Sequence, residues 1–133
     1  MKKIGFIGLG NMGEPMATNL VKAEFDVIGF DLIEEAKKKA ERNGIQITED
    51  AVSASKNVDA LISMLPASEH VESLYLGEDG LLSKLDKTVL IIDCSTIAPD
   101  SAIKVANQAK DLDLSMIDAP VSGGVVGVQE SKL

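Results

Sequence analysis

Three glycines carry the first chemical signal in this chain. Gly8, Gly10 and Gly13 stand in IGFIGLGNMGEPMATNL, residues 4–20, after an apolar run and before a helical pattern. That is G-x-G-x-x-G between a strand and a helix. In such a setting the first glycine permits a tight turn, the second lets the backbone approach a pyrophosphate, and the third lets the helix pack close to the strand. The backbone of Leu9, Asn11 and Met12 completes the loop. The helix start then directs unpaired N–H groups and a partial positive charge at the phosphates. A glycine-rich turn that holds no ligand has the same bare pattern, so the rest of the chain must separate the two.

Asp31 is the second signal. It ends the short strand FDVIGFD and lies eighteen residues after Gly13. A dinucleotide fold places there the carboxylate that accepts hydrogen bonds from the adenosine ribose. A carboxylate in that position repels a 2′-phosphate, which favours NAD over NADP. The other role open to Asp31 is to cap the helix that begins near Ile33. Other reactive side chains are few. The single cysteine, Cys94, follows an apolar run and reads as a small buried hydrophobe, and the single histidine, His70, reads as a surface or loop-packing residue. Alone they build no intramolecular disulfide, zinc site or Ser-His-Asp triad, and no metal is expected.

The elements that must position these residues alternate along the chain. Strands are expected at Lys2–Ile7, Phe25–Asp31, Ile45–Ile47, Val58–Leu65, Thr88–Asp93 and Leu114–Asp118. Helices are expected at Asn11 to about Ala23, Leu32–Asn43, Thr48–Lys56 with Thr48 as cap, Ser68–Leu76, and Pro99 to about Lys110. Met12, Met16 and Leu20 form one apolar stripe of the first helix, and Ile103, Ala106 and Lys110 fall along one side of the last. Strict alternation implies an α/β fold: a doubly wound, mainly parallel Rossmann sheet with helices on both faces. The loops after strands one, two, four, five and six then share the carboxyl edge, where ligands bind. Glycine-rich or polar loops fall there: Gly8–Gly13, Asp31, Pro66–Ser68, Ser95-Thr96 and Ser122–Gly124.

The 133 residues make one domain by length, able to bury its own core. A net charge of −8 argues against nonspecific nucleic-acid binding and against an anionic membrane surface. The first strand begins at once and no apolar run reaches transmembrane length, so a cytoplasmic protein is expected.

Four segments carry a resemblance that covers the whole chain: FIGLGNMGEPMATNL, MLPASEHVESLYLGEDGLL at residues 64–82, DCSTIAP at 93–99 and DAPVSGG at 118–124. In these the chain resembles the β-hydroxyacid dehydrogenases. The last segment is the most specific, because a generic dinucleotide fold has no reason to carry it. The resemblance implies NAD-dependent oxidation of a short 3-hydroxy acid, 3-hydroxyisobutyrate, to its semialdehyde. Reductases of tartronate, glyoxylate or succinic semialdehyde share the loops, and a stand-alone NAD-binding module is the reading outside the enzyme class.

By the same resemblance the Met64-Leu65-Pro66 loop and Glu69 border the cofactor, and Thr96 lies near the nicotinamide ribose. Ser122, Gly123 and Gly124 grip the substrate carboxylate, a role that two open glycine N–H groups and a hydroxyl can fill. Val126, Glu130, Ser131 and Lys132 depart from the family's usual continuation of small residues. The family's catalytic Lys has no counterpart here, and it is expected downstream on a helical domain that also forms much of a homo-oligomer. No catalytic residue is therefore assigned in this chain, and the final Ser-Lys-Leu is expected to be no peroxisomal address. Without that second domain, Val121, Val125, Val126 and Val128 are expected to be exposed, disordered or paired with another copy.

Overall fold

The structure, a computed structural model, describes residues 2–119. In chain order the elements are β1 (Lys3–Ile7), α1 (Gly13–Lys22), β2 (Asp26–Phe30), α2 (Glu34–Arg42), β3 (Gln46–Ile47) and α3 (Ala51–Ala54). Then come β4 (Ala60–Ser63), α4 (Ser68–Tyr75), a 3₁₀ turn (Leu81–Ser83), β5 (Leu90–Asp93), α5 (Pro99–Asp111) and β6 (Ser115–Asp118). The strands form one parallel sheet in the order β3-β2-β1-β4-β5-β6. The expected doubly wound architecture is the one observed.

Alternating side chains feed two cores, one on each face of the sheet. Phe6, Leu9 and Val27 pack with Ala17 of α1 and Ala40 of α2 on one face. Ile7, Ile28, Leu61 and Ile91 pack with Ala54, Val71, Tyr75, Val105 and Ala109 on the other. The register aligns the strand ends. Phe30 pairs with Ile7, Ile7 with Ser63, Ser63 with Asp93, and Asp93 with Asp118, so the following loops all leave from one edge.

Several boundaries differ from expectation for local reasons. α1 begins at Gly13 rather than Asn11, because the first helical bond is Glu14 N–H to the Gly10 carbonyl. α2 begins at Glu34: the Asp31 carboxylate accepts from Ile33 N–H at 2.9 Å and holds Leu32-Ile33 out of the helix. α3 is capped by Asp50, which accepts from Ser53 N–H at 2.7 Å, and not by Thr48, whose hydroxyl donates to the Asp50 carbonyl at 3.0 Å. On α5 the buried face is Ser101, Val105 and Ala109, whereas Ile103 is 58% exposed. The i, i+4, i+8 row of smaller residues fits against the sheet, and Ile103 and Ala106 turn outward. The stretch containing Val121, Val125, Val126 and Val128 lies outside the described residues.

Candidate functional site

Strand order reverses between β1 and β4, so the loops after these two strands diverge on opposite faces and leave a crevice. A cleft of about 670 Å³ occupies it. Its walls include Gly8, Gly10, Asn11, Met12, Gly13, Asp31, Met64, Leu65 and Pro66. Residues from the loops after β1, β2 and β4, far apart in sequence, thus meet at the carboxyl edge.

The three glycines serve different ends. Gly8 has φ +98°, and a Cβ there would collide with the Met64 carbonyl, so it is needed where the loops after β1 and β4 touch. A Cβ on Gly13 would strike the Gly8 carbonyl, where α1 closes on the loop. Gly10 is different: a Cβ there would meet no atom within 4 Å, and the position lines the cleft. Neither packing nor a left-handed φ demands glycine at that position. α1 has no side-chain cap, and Gly10, Asn11, Met12 and Gly13 at its start line the cleft.

Asp31 fills a connecting role as well as a place in the cleft. One carboxylate oxygen accepts from Leu9 N–H at 2.7 Å and the other from Ile33 N–H at 2.9 Å, joining the glycine loop to the start of α2. Each oxygen keeps acceptor capacity for a ribose hydroxyl. The Leu9 side chain is 2% exposed and belongs to the core, so only its backbone is at the loop. Met12 lines the cleft, while Met16 and Leu20 pack against the core.

Glu69, in the first turn of α4, and Thr96, after β5, are exposed and do not line the cleft. Ser122, Gly123 and Gly124 lie outside the described residues. Sequence reasoning missed Leu32, Ile33, His70, Ser73 and Leu74, all of which line it. Their signals were present: an apolar pair straight after the acid, and an i, i+3, i+4 face on a helix leaving the carboxyl edge.

Beneath the loops after β4 and β5 lies a buried polar network. Tyr75 Oη donates to Ser63 Oγ at 2.6 Å, and Ser63 Oγ donates to Asp93 Oδ1 at 2.9 Å. Ser95 Oγ donates to the same Oδ1 at 2.7 Å and accepts from Leu65 N–H at 2.7 Å. Burial pushes the Asp93 carboxyl above the ordinary carboxylate range, with the hydrogen bonds from Ser95 and Ser63 opposing it and the Asp118 charge adding to it. Burial also raises the Tyr75 phenol, and it pushes the Cys94 thiol up to about 11. Cys94, 7% exposed, is the buried residue that the sequence implied.

The profile of one family, described as the NAD binding domain of 6-phosphogluconate dehydrogenase, matches residues 3–133. The chain belongs to this family. The NAD-binding domain is 50% identical over 133 residues to a 3-hydroxyisobutyrate dehydrogenase of Pseudomonas aeruginosa, covering 100% of the chain and 45% of that protein. It is 49% identical, with the same coverage, to the NAD-dependent L-serine dehydrogenase of that organism. Among solved structures it is similar to Mycobacterium tuberculosis 3-hydroxyisobutyrate dehydrogenase with L-serine, at TM-score 0.92 and 40% identity, covering 98% of the chain and 44% of that structure. The chain therefore spans a little under half the length of these relatives.

Proposed function

We propose that this NAD-binding domain serves the oxidation of a short 3-hydroxy acid, 3-hydroxyisobutyrate, to its semialdehyde. The observation that carries the cofactor half is the pair Gly10 and Asp31 on one cleft wall: a glycine that only a ligand requires, beside a carboxylate able to accept ribose hydroxyls. Bound NAD supplies a hydride acceptor. The chain's own residues hold the dinucleotide: loop N–H groups face the pyrophosphate, Asp31 faces the adenosine ribose, and the Met64–Pro66 loop closes the opposite wall. Asp31 also disfavours a 2′-phosphate, so NAD is preferred to NADP.

The substrate half rests on DAPVSGG and on the relatives' names. Ser122, Gly123 and Gly124 hold the carboxylate, while the proton acceptor comes from outside this chain, on a domain that also builds a homo-oligomer. Glu69 borders the cofactor and Thr96 lies near the nicotinamide ribose, both from loops and helices that leave the same carboxyl edge. The protein acts in the cytoplasm. L-Serine is a second substrate reading favoured by the 49% relative, since it too is a 3-hydroxy acid and differs only at C2.

The test is steady-state NADH formation by the full-length protein with 3-hydroxyisobutyrate, L-serine and the reduced forms of the three alternative semialdehydes. The expected result is the highest kcat/KM with 3-hydroxyisobutyrate. A higher value with L-serine moves the substrate and keeps the reaction, whereas NAD binding without any turnover favours a stand-alone module.

A further inference from the structure

Asp93 is bonded through one oxygen only. Oδ1 accepts from Ser95 Oγ at 2.7 Å, from Ser63 Oγ at 2.9 Å and from Ser95 N–H at 3.3 Å. Oδ2 is buried without a partner among the described residues, in a residue 1% exposed. An ionised carboxylate spreads its charge over both oxygens, so burying one of them against no donor is costly. A carboxylic acid divides the two tasks: its carbonyl oxygen accepts and its hydroxyl donates. Three donors on Oδ1 and none on Oδ2 fit the acid, with the proton on Oδ2.

The strand register supplies an acceptor for that proton. Asp93 pairs with Asp118 at the carboxyl ends of β5 and β6, so both side chains leave the sheet on one face. Together they wall a cavity of about 30 Å³ whose other walls include Val71, Ile97, Val105 and Met116. That is room for one water. The exposed Asp118 carboxylate offers its oxygens to the Oδ2 proton, directly or through that water. Two carboxylates among apolar walls are too few oxygens for a metal cation. One proton satisfies Oδ2 and removes one of two facing charges.

The other groups around Asp93 leave this pair to itself. Tyr75 of α4 and the adjoining Cys94 are both held protonated by burial. β4 contributes the Ser63 hydroxyl, and α5 faces the cavity with Ala102 and Val105. Lys104 of α5 is bonded to Glu72 of α4 at 2.9 Å.

We propose that Asp93 and Asp118 form a proton-binding site, with one proton on Asp93 Oδ2 directed at Asp118, and that this proton holds the end of β6 against β5. The backbone bond from Ala119 N–H to the Asp93 carbonyl, 2.9 Å, is the neighbouring tie. When the Oδ2–H bond breaks and the proton passes to water, two carboxylates face each other, one of them buried. β6 then yields, because it lies at the end of the strand order and is largely exposed.

The test is a pH titration of the full-length protein carrying carbon-13 at its aspartate carboxyls, with Asp93→Asn and Asp118→Asn assigning the two signals. Asp93 is expected to stay protonated at a pH where unfolded-chain aspartates are ionised. Asp118→Asn keeps an acceptor oxygen but removes the charge, and is expected to lower the proton affinity of Asp93 about tenfold. Asp118→Ser gives the same comparison should that variant not fold. Amide exchange at residues 116–119 is then measured on both sides of the Asp93 midpoint, relative to Asp93→Asn, whose amide donor cannot be lost. Exchange is expected to speed about tenfold once the proton has left, the size of one hydrogen bond to a charged group. An Asp93 signal that titrates with the unfolded-chain aspartates overturns the site. A midpoint unmoved by loss of the Asp118 charge overturns the pairing, and unchanged exchange in β6 overturns the hold on that strand.

Discussion

At Gly10 the expected result of adding a methyl group separates binding from folding. Gly10→Ala has open space around it, so the melting temperature should stay close to wild type while NADH affinity falls by tenfold or more. Gly13→Ala should instead destabilise the fold, because its Cβ would strike the Gly8 carbonyl. Thermal melts and NADH titrations of the two variants check this. Cys94 should resist alkylation in the native protein at neutral pH and react on unfolding, since its thiol is buried and its pKa is raised to about 11. Burial holds the folded Asp93 pKa above its ordinary value of 3.8, so the fold binds the proton more tightly than the unfolded chain does. Its stabilising contribution is complete below 3.8 and lost as pH rises through the folded pKa. The melting temperature of wild type minus that of Asp93→Asn should therefore fall as pH rises from about 4 to 7. The acids Glu34, Asp50, Glu72 and Asp86, whose pKa values are lowered, run the other way but are common to both proteins and cancel in the difference.

The helices that follow the glycine loop and Asp31 are tied by one buried acid. Glu14 of α1, 6% exposed, accepts from Asn43 Nδ2 at 2.6 Å and from Thr18 Oγ1 at 2.9 Å. Asn43 also donates to the Lys39 carbonyl at 3.1 Å, so the end of α2 is fixed to the start of α1. Asn43→Ala leaves a buried carboxylate short of a donor and should cost about 1–3 kcal/mol in urea unfolding, with a smaller loss for Thr18→Ala. Sequence showed α1 and α2 as elements, since both carry the helical period. It did not show this tie, because Glu14 and Asn43 are ordinary polar residues in sequence and acquire meaning only when two helices pack side by side. The α5 face misled for a related reason. Ile103 is the larger apolar residue, but the face of α5 that is buried is the smaller row of Ser101, Val105 and Ala109.

At the scale of the molecule, the sheet order brings Asp31 and the glycine loop to one side of the crevice and the Met64–Pro66 loop to the other. The proposed preference for NAD belongs to this scale, because it depends on the Asp31 carboxylate being held by the Leu9 N–H. Asp31→Ala in the full-length protein should narrow the NAD-over-NADP affinity ratio at least tenfold, measured by titration with both cofactors. An unchanged ratio would remove Asp31 as the determinant.

The amino-acid sequence alone determined the order and type of the elements, the glycine loop, the acid that ends β2 and the family, because periodicity, turn residues and contiguous motifs are local properties. Tertiary structure alone decided which side chains face the crevice. His70, Ser73 and Leu74 line it through the direction of α4, and Ser95 reaches Leu65 only because β4 and β5 pair in parallel register. Contacts between residues thirty positions apart depend on strand pairing, and no window along the chain records that. The three opening glycines show both levels at once: their spacing predicted a phosphate loop, and only packing revealed that Gly8 and Gly13 are demanded by the fold while Gly10 has open space beside it.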